Sequence, residues 1–419
     1  MSAVTGTTAE MEAQQETRVD APGIETQIVV CLGPWYEDAN VEHLSPLLHI
    51  LQEALGTRAA QALIAYPATD PQATSWQHED MLLQPYLPSA KLHALSVQTA
   101  TTFLSLHEVM RAHSATCGLL LGADAHTLSP DAIAALVTAV IDRNADLALA
   151  RYATGPNEGL INAAILYPVS RAVFGVKTHF PLTLDLALSA RMAERMAAAA
   201  QRQTTAAQPE ALVWPAAEAA VAGFTVAEVE VGVRDLPHPA GTDLASILKT
   251  VASSLFSDVE AKASYWQRTR PVQPLITLNA VPTPAFEPDP VPASEITELM
   301  ESFRIGYGNL HEIWALVLPP QTLLGLKRLS RLSAEEFLLP DALWVRIVYD
   351  FLLAHRLRII NRGHLMGALT PLYLAWVASH IIADQQDASS DSMDDLAKAF
   401  EADKPYLVSR WRWPDRFNP

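Results

Sequence analysis

Two periodicities share the first half of the chain. Short runs of branched or leucine-rich residues recur at 28–32, 62–66, 117–121, 146–150 and 224–231. Their length and their bounding Gly, Pro or Asp residues predict strands. Between them, apolar residues fall at helical spacing. VEHLSPLLHILQEAL (41–55), stopped by Gly56, predicts a helix, as do 99–113 and 129–144. In the last of these, Ser129 stands at the N-cap and Pro130 at the first helical position. Residues 170–173 and 186–201 also predict helix, the latter from its alanine content. The Pro-, Asp- and Gln-rich stretch 67–88 predicts a long loop. Alternating strands and helices predict an α/β domain around a largely parallel sheet.

The pattern changes after residue 270. Seven prolines fall between Pro271 and Pro292, a density that predicts a stiff extended linker. From residue 294 the spacing is helical nearly to Lys404, in pieces at 295–305, 310–330, 341–358 and 363–383. The expected organisation is a disordered tail over 1–24, an α/β domain over 25–270, a Pro-rich linker over 271–293 and a helical C-terminal domain over 294–419. One helical piece, GHLMGALTPLYLAWVASHIIA (363–383), carries no Asp, Glu, Lys or Arg and approaches the length of a membrane span. Its His364, His380 and central Pro371 favour a kinked core helix over a bilayer segment.

Composition narrows the function. The chain has 419 residues, half of them hydrophobic, enough for a substantial core. Lys plus Arg number 29 against 46 Asp plus Glu, a formal charge of −17. Such a surface repels phosphodiester backbones, and nucleic acid is not an expected partner. The two cysteines, Cys31 and Cys117, lie in or beside apolar runs and are expected to be reduced core thiols. The polar N-terminus lacks the apolar stretch of a signal peptide, so the expected compartment is the cytoplasm. No glycine-rich nucleotide loop, no GxSxG, no HExxH and no CxxC is present.

Two acids and one histidine remain as candidates for chemistry. Asp124 follows the strand at 117–121, and open α/β sheets bind ligands at such strand ends. A Mg²⁺ ion there takes one or two carboxylates plus phosphate oxygens; the plain alternative is a loop cap. Asp185 stands among apolar residues in THFPLTLDLALS (178–189), near His179. A carboxylate so placed needs a partner: a loop donor, a sugar hydroxyl or an Arg. It reads as a substrate-hydroxyl acceptor or base, or equally as an acid at a helix N-terminus. His238, in RDLPHP (234–239), follows a strand and reads as a metal ligand or as plain surface.

The longer stretches GADAHTLSPDAIAALVTAV (122–140) and DLALARYATGPNEGLINAAILYPVSRAVFGVKTHFPLTLDLALS (146–189) resemble a group of bacterial family-2-like glycosyltransferases of the GT-A fold, related to glucosylglycerate and mannosylglycerate synthases. The most specific part is Tyr167-Pro168-Val169-Ser170-Arg171-Ala172-Val173-Phe174-Gly175, similar to that group's Tyr-Pro-Leu-Thr-Arg-Ala-Leu-Tyr-Gly. LPDALWVRIVYDFLLAHR (339–356), LTPLYLAWVASHI (369–381) and KPYLVSRW (404–411) resemble its helical tail. The resemblance runs from about Gln27 to Trp411.

The resemblance implies a nucleotide-sugar-binding GT-A-like domain with a mostly parallel or mixed sheet, plus a helical C-terminal extension. It implies transfer of a sugar from a nucleotide diphosphate sugar to a small hydroxyl acceptor, with Mg²⁺ or Mn²⁺ neutralising the leaving diphosphate. Asp124 would then be a metal and donor ligand, Asp70 a donor-binding residue, His238 a metal ligand and Asp185 the catalytic acid on the acceptor side. The group's Asp-X-Asp falls on Gly122-Ala123-Asp124, so its first acid is a glycine here. Its Gly-Lys-Gly donor loop falls near Val97-Gln98-Thr99-Ala100-Thr101, without Lys or Gly. Two functions stay open: a divergent transferase, and a catalytically inactive relative acting as a binding or assembly partner. A peripheral membrane contact through 363–383 and a second copy of the chain are the remaining partner expectations.

Overall fold

A computed structural model of the chain describes residues 26–36, 41–68, 70, 73–87, 97–205, 211–234, 243–268, 274–282, 291–386 and 392–413. The strands are β1 (Ile28–Leu32), β2 (Ala62–Pro67), β3 (Trp76–His78), β4 (Met81–Tyr86), β5 (Cys117–Leu121), β6 (Leu147–Tyr152), β7 (Leu186–Ser189), β8 (Val226–Gly232) and β9 (Leu275–Asn279). They form one mixed sheet in the order β3-β4-β2-β1-β5-β7-β6-β8-β9. β1, β2, β4 and β5 pair in parallel, and so do β6, β8 and β9. β7 runs antiparallel between β5 and β6, and β3 is antiparallel to β4 at the edge.

Helices cover both faces. α1 (Val41–Leu55), α2 (Ala100–Ala112), α3 (Pro130–Ile141), α4 (Tyr167–Phe174), α5 (Ala190–Thr205), α6 (Pro215–Ala222), α7 (Leu244–Ala261) and the short α8 (Ala263–Trp266) belong to the sheet half. α1 and α3 pack on one face, against Ile28, Val30 and Leu32 of β1. α2, α4, α5, α6 and α7 lie on the other, against Val29 and Cys31. Alternate residues of one strand thus feed two cores, as the strand period requires. Both cysteines are wholly buried, and burial pushes each thiol up to about 12.

The C-terminal region is helical: α9 (Ala293–Val317), α10 (Pro320–Leu329), α11 (Asp341–Leu357), α12 (Arg362–Gln386) and α13 (Ser392–Arg412). Its core is continuous with the sheet's second face. Trp344, Tyr349, Leu365 and Phe400 belong to the same apolar cluster as Phe103, Leu149 and Val169. The indole of Trp344 donates to the Ala164 carbonyl at 2.9 Å, and Tyr349 to that of Phe400 at 2.7 Å. α12 is long and apolar enough to cross a membrane, yet 72% of its most apolar window is buried inside the molecule. Pro371 lies against Gly306 of α9, where an added Cβ would sit 2.6 Å from the proline ring.

α4 carries the motif 167–175 and ties the two halves together. Pro168 occupies its first turn, and Gly175 ends it at φ 73°, a left-handed cap that favours glycine. Arg171 binds Asp394 at 2.9 Å and Glu401 at 3.1 Å, both on α13, and Tyr167 donates to Asp394 at 2.6 Å.

Three sequence expectations need correction. Residues 186–189 are a strand, with the helix beginning at Ala190: four apolar residues fit either state, and pairing between β5 and β6 decides. The predicted loop 67–88 contains the hairpin of β3 and β4. The proposed linker contains β9, which pairs with β8 at the sheet edge, where flanking prolines cost no interior ladder bonds. The predicted tail 1–24 lies outside the described residues.

Candidate functional site

The loop after β5 is held from three sides. Asp185, immediately before β7, and Arg234, just past β8, form an ion pair at 2.6 Å, with both side chains 0% exposed. One Asp185 oxygen accepts from the Gly122 amide at 2.8 Å, and the other from the Tyr152 hydroxyl at 2.9 Å. The Tyr152 hydroxyl also accepts from the amides of Leu184 and Asp185, each at 3.1 Å, and shares a bond with Thr183 at 2.7 Å. Arg234 donates on to the carbonyls of Ala123 and Asp124. From the other side, Tyr36 donates to the Gly122 carbonyl at 3.3 Å and accepts from the Ala125 amide at 3.2 Å.

Charge follows this geometry. Burial alone would lower the Arg234 pKa, but the adjoining Asp185 carboxylate outweighs it and holds the guanidinium above its ordinary value. Burial pushes the Tyr36 hydroxyl up to about 12. Tyr152 is raised further by burial and by Asp185, so both phenols stay neutral hydrogen-bonding posts.

Gly122 is a position where size is decisive. A Cβ built there meets the Leu184 Cβ at 2.8 Å and the Arg234 Nη2 at 3.3 Å. An aspartate at this point collides with its neighbours. Asp124 takes φ 54°, and its side chain is exposed. Asp70 is exposed beyond the end of β2, two strands along the sheet from β5, and its carbonyl accepts from Ala73. His238 lies outside the described residues. The structure therefore joins Asp185 to the backbone at Asp124 through Arg234. It turns the Asp185 carboxylate inward, away from solvent.

Among the described residues, the donor set at the end of β5 does not fit a divalent ion. Among the described residues no group of three or more His, Cys, Asp or Glu converges as a metal site. Asp185 is spent on Arg234, and a buried guanidinium beside the loop repels a second cation.

One strand over, the sheet end opens. A cavity of about 390 Å³ lies beyond β6 and β8, between the loop 153–159, His179, Phe180 and α12. β8 carries an extra residue at Val231, where the register with β6 shifts, a bulge of the kind found beside functional sites. Arg151 and Glu230 pair across the cavity mouth at 3.1 Å. Behind them Glu228, 1% exposed, accepts from the backbone and the Nδ1 of His179, at 2.6 and 2.8 Å. The His179 ring stacks on Tyr167 at 5.0 Å, and His380 lines the opposite wall. This polar, partly enclosed space suits a small hydrophilic molecule.

The sequence alone does not mark Arg234, Tyr152, Tyr36 or Glu228 as site residues. A lone acid among apolar residues signals a missing counter-charge, and Glu228 inside an apolar strand sends the same signal. Neither names its partner. No protein-family model and no curated protein sequence matches the chain.

Proposed function

We propose that this chain is a glycosyltransferase-like protein of GT-A type that binds a small polar ligand at its sheet ends without metal-assisted sugar transfer. The observation that carries this reading is Arg234. Its guanidinium, paired with Asp185, stands with Leu184 where a first metal-binding acid at position 122 would need room: a Cβ there meets the Leu184 Cβ at 2.8 Å and the Arg234 Nη2 at 3.3 Å. An internal fixed cation has replaced an exchangeable one. Leu184, itself buried, closes the same region. The sheet order supports the GT-A comparison: one antiparallel strand, β7, inserted in an otherwise parallel central series. The open space at β6 and β8 is the ligand site in this reading.

The test combines calorimetry and turnover. Nucleotide diphosphate sugars are titrated against the protein, and donor hydrolysis and transfer are followed with Mg²⁺ or Mn²⁺. Binding without turnover supports the proposal, and measurable turnover overturns it. The competing reading is a divergent transferase with Asp124 as metal ligand, Asp70 on the donor and Asp185 on the acceptor side. The exposed carboxylate of Asp124 at a strand end favours it. It requires that Asp124→Ala abolish an activity the unaltered chain possesses.

A further inference from the structure

We infer that the cleft between α4, α8 and the C-terminal half of α13 binds an organic phosphate with a flat ring system, of the chemistry of a nucleoside diphosphate. The cleft measures about 920 Å³ and lies away from the sheet ends. Its lining is cationic on a chain whose formal charge is −17. Arg171 is spent there, its Nε and Nη2 on the two oxygens of Glu401 and its Nη1 on Asp394. That leaves Arg268, Lys404 and Arg412, which among the described residues form no ion pair.

Each of the three is placed for an anion. The Lys404 ammonium donates to the Val173 carbonyl at 3.2 Å, and its burial disfavours the charged form. A phosphate beside it restores the compensation that water supplied in the unfolded chain. Arg412 is steadied by the side-chain and backbone oxygens of Gln267, at 3.2 and 3.0 Å, which presents a fixed guanidinium. Arg268 is exposed at the rim. The floor is apolar: Trp266 is buried, and the indole of Trp413, 61% exposed, forms a wall on which a planar base lies flat. Concavity and volume favour a discrete molecule over a flat anionic surface.

The experiment is calorimetric titration of the full chain with ADP, with inorganic phosphate alone, and with Arg268→Gln and Lys404→Gln variants singly and combined. ADP is expected to bind, to bind more tightly than phosphate, and to weaken at least tenfold in the combined variant and with rising salt. Circular dichroism checks folding; Arg268 is exposed, so its single variant keeps the test valid if Lys404→Gln misfolds. Unchanged ADP binding in the variants places the nucleotide elsewhere and overturns the inference. So does a wild-type chain that binds neither ADP nor phosphate. Co-sedimentation with phosphatidylglycerol vesicles without ADP binding overturns it in favour of a membrane contact. None of these residues belongs to the sheet-end site, so this test and that of the proposed function fail separately.

Discussion

The ends of β5 and of β6 with β8 belong to one sheet and differ in what fills them. At β5 the space is occupied by the protein itself: Arg234, Asp185, Tyr152 and Tyr36 hydrogen-bond to one another or to the loop 122–125. At β6 and β8 the charged groups Arg151 and Glu230 stand at a cavity mouth, with His179 and Glu228 behind them. An α/β sheet provides several strand ends suited to ligands, and sealing one does not seal its neighbour. One strand end filled by the protein's own side chains therefore says little about whether the sheet binds a ligand elsewhere.

Four substitutions sharpen this contrast. Arg234→Met has the largest expected effect. It strands Asp185 in the interior, and loss of one partner of a buried pair costs about 3–5 kcal/mol. Urea denaturation measures it, and an unchanged midpoint breaks the comparison. Gly122→Asp is next. It places an acid two residues before Asp124 yet overpacks against Leu184 and Arg234, at about 1–3 kcal/mol. No Mn²⁺ binding should appear by electron paramagnetic resonance; a bound-ion spectrum counts against an internal cation at this position.

Tyr152 touches both regions, since its hydroxyl supports Asp185 and its ring lines the cavity. Tyr152→Phe leaves the Leu184 and Asp185 amides without their acceptor and is expected to cost about 1–3 kcal/mol. It should also alter ligand binding in the cavity; a purely structural role predicts only the first change. Arg151→Ala has the smallest expected effect on stability. At 37% side-chain exposure its pairing with Glu230 contributes about 0–1 kcal/mol. A change in ligand affinity without a change in melting temperature is the expected signature of an open site.

The sequence made some of this legible. β1, β2, β5, β6 and β8 announce themselves because each is a short apolar run bounded by breakers, and α1 to α3 because their spacing is regular. β7 does not: LALS runs directly into an alanine-rich helix, and only its place between β5 and β6 makes it a strand. β9 hides between prolines that an edge position tolerates. For the site, Asp124 and Asp185 stand out as acids at apolar boundaries. Arg234 lies 49 residues beyond Asp185, and only the folding of β7 and β8 onto β6 brings them together. Gly122 is then explained by the room that Leu184 and Arg234 take up beside it.

The tie between α4 and α13 has a consequence in time. Arg171 and Glu401 are separated by 230 residues, and the Trp344 indole reaches back 180 residues to Ala164. A ribosome releases the sheet long before the helices that cover one side of it. During that interval the outer side of α4 and of the turn before it, with Ala164, Val169 and Val173, awaits its apolar neighbours. A polypeptide halted near residue 293 should therefore be sticky, and recruitment of chaperones should fade only as the last hundred residues emerge.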